Sequence, residues 1–379
     1  MHIQFNYRYM TDANDFETYH IECTDYSAKK IAWTIDEVGA VVSFAETMQS
    51  QDKYVALYLP YEAANYYNED MAVVSVHGPY VYAAAYVFDS VTQVTEQASY
   101  EYDKCHNFQF TESNEILTKN IERIQQEIIN GNTYQVNYTT RLTDNIQRPI
   151  YDLYRQLQLA NNGNYSVMID TDELQIASAS PELFFQQGTF NNNDNVIVSK
   201  PMKGTMSRGV TPADDEMQYT TLAQSEKDKA ENVMIVDLLR NDIARIATTN
   251  SVKVYKLFHI EKYDTVFQMT SMVTGQLPQS TSLNKILASL FPCGSITGAP
   301  KINTMKFIKS LEQVPRHVYC GTIGLLMPNG KSIFNVPIRT IQYIGEQAIY
   351  GVGAGITIDS EADKEIKEFN DKVKILECL

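Results

Sequence analysis

The residues best equipped for chemistry lie in one stretch, Ser199 to Asp242, which reads SKPMKGTMSRG and then, beyond a polar loop, DKAENVMIVDLLRND. Lys203 stands there in a Pro-Met-Lys-Gly-Thr turn after the apolar run Val196, Ile197, Val198. An amine so placed is a potential nucleophile. Asp228 and Glu231 fall near the start of an amphipathic helix predicted over about 219–247, and their i, i+3 spacing puts both carboxylates on one face. A lysine beside a carboxylate pair suggests an enzyme site. A surface turn and a solvated helix face is the plainer reading of the same residues.

Other candidates also admit two readings. Glu182, in Ser-Ala-Ser-Pro-Glu-Leu-Phe-Phe, is polar among apolar neighbours. Partial desolvation would favour its protonated form, as a general acid needs; otherwise it is a solvent contact at a strand end. Arg339, in FNVPIRT, lies in an otherwise apolar strand, so its guanidinium requires a carboxylate from the protein or from a substrate. On the last helix Glu365, Glu368 and Lys372 share a face. Glu368 and Lys372 make either an i, i+4 surface pair worth about 0.3–0.5 kcal/mol or a magnesium ligand beside an anion-binding lysine.

Two glycine-rich runs complete the set. FPCGSITGAPK (291–301) is a loop running into a helix, able to hold an anion on its amides but lacking the Gly-Lys pair of a Walker loop. GVGAGITI (351–358) has alternate glycines that admit a ligand or another backbone, without the strand-to-helix context of a dinucleotide fingerprint.

The elements that must position these residues read as α+β. Residues 1 to about 110 are Tyr-rich with short β-like runs, and the apolar stretch Met71 to Val91 reads as two strands. A helix is predicted over 113–130, with Leu117, Ile121, Ile124 and Ile128 as its stripe. Tyr134 to Leu142 alternates as a two-faced strand. Further strands are expected at 165–169, 174–179, 196–200, 251–258, 264–274, 318–326, 332–343 and 347–357, and helices at 281–290, 300–311 and 361–377. Hairpin-linked strands with helices set apart exclude a repeating βαβ plan.

Composition narrows the function classes. A net charge of −15 argues against a nucleic-acid surface or a polybasic membrane contact. The five cysteines are scattered and never form CxxC, which fits a reducing cytosol and argues against a disulfide framework or structural zinc site. With no signal pattern at the N-terminus, the expected location is cytoplasmic.

The ordered segments GNTYQVNYTTRL (131–142), SASPELFF (178–185), PMKGTMSRG (201–209), DKAENVMIVDLLRNDIARI (228–246), FPCGSITGAPKINTMKFI (291–308), YCGTIGLL (319–326), FNVPIRT (334–340) and GVGAGITIDSEADKEIKEFNDKVKIL (351–376) resemble the chorismate-utilising enzymes. That family comprises the anthranilate, aminodeoxychorismate and isochorismate synthases. The resemblance implies two antiparallel sheets packed face to face with helices outside. Residues 1–110 would be a β-rich part of the same unit, and 111–379 the catalytic region. It implies Mg²⁺ on Glu231 and Glu368, with Asp228 and Glu365 one turn before each. Gly204, Thr205 and Lys372 would hold the ring carboxylate of chorismate. Tyr319, Arg339 and the amides of Gly353, Ala354 and Gly355 would hold the enolpyruvyl carboxylate, with Gln135 and Thr297 as further substrate contacts.

Two positions discriminate within that family. Isochorismate and salicylate synthases carry a lysine base where this chain has Gln135, so activation of water is not implied. Anthranilate synthases carry alanine where this chain has Lys203, and a lysine there marks the aminodeoxychorismate branch. The implied reaction is covalent: Lys203 attacks C2 while Glu182 protonates the departing 4-hydroxyl, then ammonia adds at C4 and expels the lysine. The chain shows no Gly-x-Cys-x-Gly glutaminase elbow, so ammonia would come from a separate glutamine amidotransferase subunit. It also has Gln268 where family members usually have histidine, and no Leu-Leu-Glu-Ser tryptophan motif. An anthranilate synthase large subunit is the alternative enzyme; a non-catalytic binding protein on the same fold is the alternative of another class.

Overall fold

Both faces of the central strands are apolar, so each must be covered on both sides. In Tyr54–Leu59, Val55, Leu57 and Leu59 enter one apolar cluster while Ala56 and Tyr58 enter another. In Gln175–Ser180, Ile176 faces one cluster and Ala177 and Ala179 face the opposite one. The computed structural model, which describes residues 1–94, 106–160, 163–263 and 266–379, shows how this is met. Two ten-stranded antiparallel sheets, each a path of nine strands with a tenth paired beside it (Gln109–Phe110 on Gln135–Asp144, Lys253–Lys262 on Val266–Gln276), share a core of Phe5, Tyr7, Tyr165, Tyr58, Tyr86 and Ile323, and helices cover their outer faces.

The first sheet runs in the order Gly298–Ala299, Gln135–Asp144, Gln347–Ile356, Thr340–Ile344, Gln175–Ser180, Tyr165–Asp170, His2–Met10, Phe16–Cys23 and Thr92–Gln93. Helices Asn114–Ile129, Ile150–Ala160 and Ala362–Val373 back it. The second runs Met202–Ser207, Val266–Gln276, Asn193–Lys200, Leu183–Phe190, Ser332–Asn335, Thr322–Leu326, Tyr54–Leu59, Ala83–Phe88 and Ala28–Ala32. Helices Val38–Ser50, Glu226–Ala244 and Leu283–Leu290 back that one.

The chain passes between the sheets twice at one corner. Gln175–Ser180 belongs to the first sheet and Leu183–Phe190 to the second, so residues 181–182 cross over. Residues 336–339 cross back, from Ser332–Asn335 to Thr340–Ile344. The crossings are bonded together: Val336 N–H donates to Glu182 O (3.1 Å), Ala179 N–H to Arg339 O (3.0 Å) and Ser180 Oγ to Val336 O (2.6 Å).

This corner corrects the single strand expected over 332–343, and Arg339 is not a strand residue. It sits in the crossing with φ +53°, where neither ladder continues. The helix expected over 219–247 is two helices, Pro212–Gln224 and Glu226–Ala244. Ser225 takes an extended ψ of 105°, ends the first and caps the second through Asp228 N–H. Thr211 and Asp214 form a capping box ahead of Pro212, which starts the first helix earlier than expected. Lys203 lies in a strand, Met202–Ser207, rather than in a turn. Of the two strands expected within 71–91, one forms, Ala83–Phe88; Gly78 at φ +86° and Pro79 interrupt the remainder. Residues 318–321 are a turn ahead of Thr322–Leu326, and the last α-helix ends at Val373 in a short 3₁₀ turn. The expected strand over 264–274 begins on two residues outside the described set and is otherwise Val266–Gln276.

Candidate active site

Lys203 owes its placement to an irregularity in its strand. Met202 pairs with Thr270 and Thr205 with Gln268, so three steps on one strand face two on the other. The extra residue makes a bulge that re-aims side chains. Gly204 takes φ +91° there, and a Cβ on it would lie 3.0 Å from Asp228 Oδ1. Glycine is thus required both by backbone and by space. The Lys203 amine reaches across the cleft to the first sheet, 3.5 Å from where a Cβ at Gly355 would stand. It makes no hydrogen bond or ion pair with any described residue.

Glu182 projects from the corner. It is 5% exposed, and burial pushes its pKa up to about 7, with Ser295, Lys203 and Lys372 opposing that rise. Ser295 Oγ donates to Glu182 Oε1 at 2.8 Å. Ser295 comes from the FPCGSITGAPK loop, which is tied to Gln135–Asp144 through Gly298 opposite Val136 and Ala299 opposite Gln135. The loop therefore delivers a hydroxyl to a buried carboxyl. At its end, helix Lys301–Glu312 begins with Lys301 buried against Asp242 Oδ2 at 2.9 Å. Sequence reasoning missed Ser295, since its partner lies 113 residues away.

The alternate glycines make room for side chains. A Cβ at Gly355 would fall 2.1 Å from Gln135 Nε2, and one at Gly351 2.3 Å from the Tyr319 ring. Gln135 is buried, and its Oε1 has no hydrogen-bond partner among the described residues. A buried acceptor left open calls for a ligand or water. Lys372 Nζ donates to Gly353 O at 2.7 Å and pairs with Glu368 at 2.6 Å. Ala354, on the opposite face, packs into the helix-backed core, so only its backbone can serve the cleft.

The four expected metal-binding carboxylates share an electrostatic neighbourhood. Burial raises the pKa of Glu231, as do Asp228 and Glu368, while Lys203 and Lys227 oppose it. Burial also raises Glu365, with Glu368 adding to the effect; Ser360 Oγ donates to it at 2.7 Å. Burial pushes Glu368 up too, but Lys372 and Lys203 bring it below the usual carboxylate range. Repelling carboxylates of this kind gain from a cation, and hard oxygen donors suit Mg²⁺ completed by water and substrate. They are not preassembled: no three acidic, histidine or cysteine side chains gather at metal-binding range among the described residues.

The remaining candidates are spread more widely. Arg339 is partly buried, burial lowers its guanidinium pKa, and no ion pair or side-chain hydrogen bond to it occurs among the described residues. Tyr319 is buried over Gly351 in a groove with Thr139, Thr340 and Gln342. Thr297 is fully buried, and its hydroxyl turns back to Cys293 O at 3.1 Å, away from any ligand. Thr205 is exposed and donates to Gln268 Oε1 at 3.0 Å.

Residues 81–377 match the family model for chorismate binding enzymes. The chain belongs to the chorismate binding enzyme family. Similar proteins include aminodeoxychorismate synthase component 1 of Escherichia coli (strain K12), 39% identical over 258 residues, which are 68% of this chain and 56% of that protein. The Klebsiella aerogenes protein of the same name is 40% identical over 261 residues, 69% of this chain and 57% of its own length. An anthranilate synthase component 1 of Haloarcula marismortui is 34% identical over 282 residues, covering 74% and 55%. The chain thus spans little more than half the length of these curated relatives. In fold it is similar to the crystal structure of anthranilate synthase component I from Streptococcus pneumoniae, with a TM-score of 0.77, 22% identity, and coverage of 99% of this chain and 90% of that one. The two face-to-face antiparallel sheets expected from the sequence are the architecture observed. Among the described residues no helix is long and apolar enough to cross a membrane.

Proposed function

We propose that this protein aminates chorismate at C4, giving 4-amino-4-deoxychorismate for para-aminobenzoate and folate synthesis. The observation that carries this reading is Lys203: its amine makes no hydrogen bond or ion pair among the described residues, stands against Gly355, and shares the cleft with a buried carboxyl, Glu182, whose pKa burial raises to about 7. Glu231 and Glu368, with Asp228 and Glu365 behind them, would hold Mg²⁺, which neutralises the ring carboxylate of chorismate when bound. Lys372 supplies a further positive charge at that end. Arg339, which has no carboxylate partner among the described residues, takes the enolpyruvyl carboxylate, with Tyr319 beside it.

In the first step the Lys203 amine bonds to C2, both ring double bonds shift, and the C4 hydroxyl leaves as water with the proton of Glu182. In the second, ammonia bonds to C4, both double bonds shift back, the lysine leaves C2 as the neutral amine, and a proton from the added nitrogen restores Glu182. The balance is chorismate plus ammonia to aminodeoxychorismate plus water. Gln135 lacks the basicity to activate water for a competing hydroxylation. Ammonia comes from a glutamine amidotransferase subunit, consistent with the "component 1" in the names of the similar proteins. The reaction is placed in the cytoplasm.

The test replaces Lys203 by alanine, supplies chorismate, Mg²⁺ and ammonium, and resolves 2-amino from 4-amino products by chromatography. Loss of the 4-amino product by about 10³-fold, with residual amination moving to C2, is expected. Unchanged 4-amino product would overturn covalent catalysis. A wild-type protein yielding the 2-amino product would favour the anthranilate activity named for the Haloarcula relative.

A further inference from the structure

The bulge that carries Lys203 lacks regular ladder bonds at the point where the amine must be aimed, so something else has to fix it. The neighbouring strand supplies Gln268, which is 7% exposed and uses both ends of its amide on the bulge. Its Nε2 donates to Gly204 O at 2.9 Å, and its Oε1 accepts from Thr205 Oγ1 at 3.0 Å. On the opposite side Asp228 closes against the open face of Gly204. Gly204 and the Gly204–Thr205 peptide, one residue beyond Lys203, are thereby gripped from the adjacent strand and from the helix at once.

We infer that Gln268 is a positioning residue, one that locks the Lys203–Thr205 bulge and sets the direction of the lysine amine rather than touching substrate. The inference rests on the amination reading for its catalytic consequence, though not for its geometry. It also assigns Thr205 a different task from the carboxylate contact expected of it, since its hydroxyl is engaged by Gln268. A side chain held within a fraction of an ångström matters because a misplacement of about 1 Å can cost about 10²-fold in rate.

The experiment compares Gln268→Leu, Thr205→Val and Thr205→Ser in the full chain. The first readout needs no turnover: the rate at which Lys203 reacts with a small amine-acylating reagent, mapped by peptide mass spectrometry with exposed Lys227 as internal reference. Gln268→Leu and Thr205→Val should change the Lys203 rate by at least about threefold with Lys227 unmoved, and Thr205→Ser should restore it. The second readout is kinetic. Gln268→Leu should lower kcat by about 10–100-fold while the KM for chorismate stays within about twofold, and Thr205→Val should do the same more weakly. Unchanged Lys203 labelling in both, or a raised KM at unchanged kcat, would overturn the assignment. Thr205 is exposed, so its valine variant keeps the question answerable if Gln268→Leu fails to fold. Labelling judges the clamp even if the Lys203→Ala product assay rejects covalent catalysis, so the two failures are distinguishable.

Discussion

Two buried corners of the molecule hold the same kinds of groups and treat them oppositely. At the first, Arg316 bonds Glu312 at 2.5 and 2.8 Å, Ile296 O and Asn137 O at 2.8 Å each, and lies over the Tyr61 ring. Beside it Glu62, 1% exposed, accepts from Tyr80 Oη and from the Arg316 and His317 amides. At the second, among the described residues, Arg339 has no carboxylate, Lys203 makes no hydrogen bond or ion pair, and Glu182 accepts a side-chain bond only from Ser295. Burial raises Glu62 and Glu182 alike to about 7. The difference is bonding capacity left open. The charged groups of the first corner are paired and hold the structure together, whereas those of the second keep bonding capacity that a ligand can use.

Removing divalent metal should separate the corners most sharply. A chelator should abolish amination, and in the metal-free protein at pH 8 Glu231→Gln should raise the urea midpoint, because it removes a carboxylate that burial, Asp228 and Glu368 all disfavour. Substantial turnover in metal-free buffer would remove the Mg²⁺ assignment.

Next comes the pair of matched glutamates. Glu182→Gln should lower kcat by about 10²–10⁴-fold, since the amide cannot donate the proton, whereas Glu62→Gln should lower it by only a few-fold. Stability should move the other way. Glu62→Gln turns an amide N–H₂ toward backbone donors and should cost about 1–3 kcal/mol in urea unfolding near pH 4, where its own folded pKa of about 7 adds no ionisation penalty. Glu182 has its folded pKa raised from 4.5 to about 7, so wild-type stability falls as pH rises through that window and the loss is complete above it. Glu182→Gln avoids this and should be the more stable protein at pH 8, by up to about 3 kcal/mol, with the gain vanishing near pH 4.

The arginines supply the third contrast. Arg316→Leu leaves Glu312 buried without its cation and should cost about 3–5 kcal/mol. Arg339→Leu should change unfolding by less than about 1 kcal/mol while raising the chorismate KM about 10²-fold, as loss of a buried carboxylate contact does. A strongly destabilised Arg339→Leu protein would show that this side chain is structural.

The smallest effect is in the pH profile. With Glu182 required in its protonated form, kcat should decline above about pH 7, and the residual activity of Glu182→Gln should lack that decline. Parallel profiles would relieve Glu182 of the acid role.

Much of the architecture was legible because strand alternation is local. Gln135–Asp144 keeps Val136, Tyr138 and Leu142 on the helix-backed face, as the pattern from Tyr134 to Leu142 implied. The stripe of Leu117, Ile121 and Ile124 likewise announced its helix. Helix Val38–Ser50 went unread because its β-branched valines and a glycine mimic a strand, and Ile150–Ala160 went unread although Pro149 precedes it and Gly163 follows closely. The crossing at 336–339 carried one local sign, Pro337, which cannot donate to a ladder, while periodicity alone shows no change of sheet. In the site, motif order nominated Lys203, Glu182 and the acidic quartet. Ser295, and the hydrogen bonds that define Gln268, depend on strands brought together by the fold, so no local pattern reveals them.

The paired sheet crossings also constrain how the molecule comes into being. Ser180 and Val336, joined by one hydroxyl, are 156 residues apart in sequence. Closing so long a loop carries an entropic cost that only late contacts repay, and topologies of this sort fold slowly. On the ribosome, Glu182 emerges far ahead of the segment that gives it a corner to occupy. Until residues 336–340 arrive, the nascent chain holds an acid with no site around it.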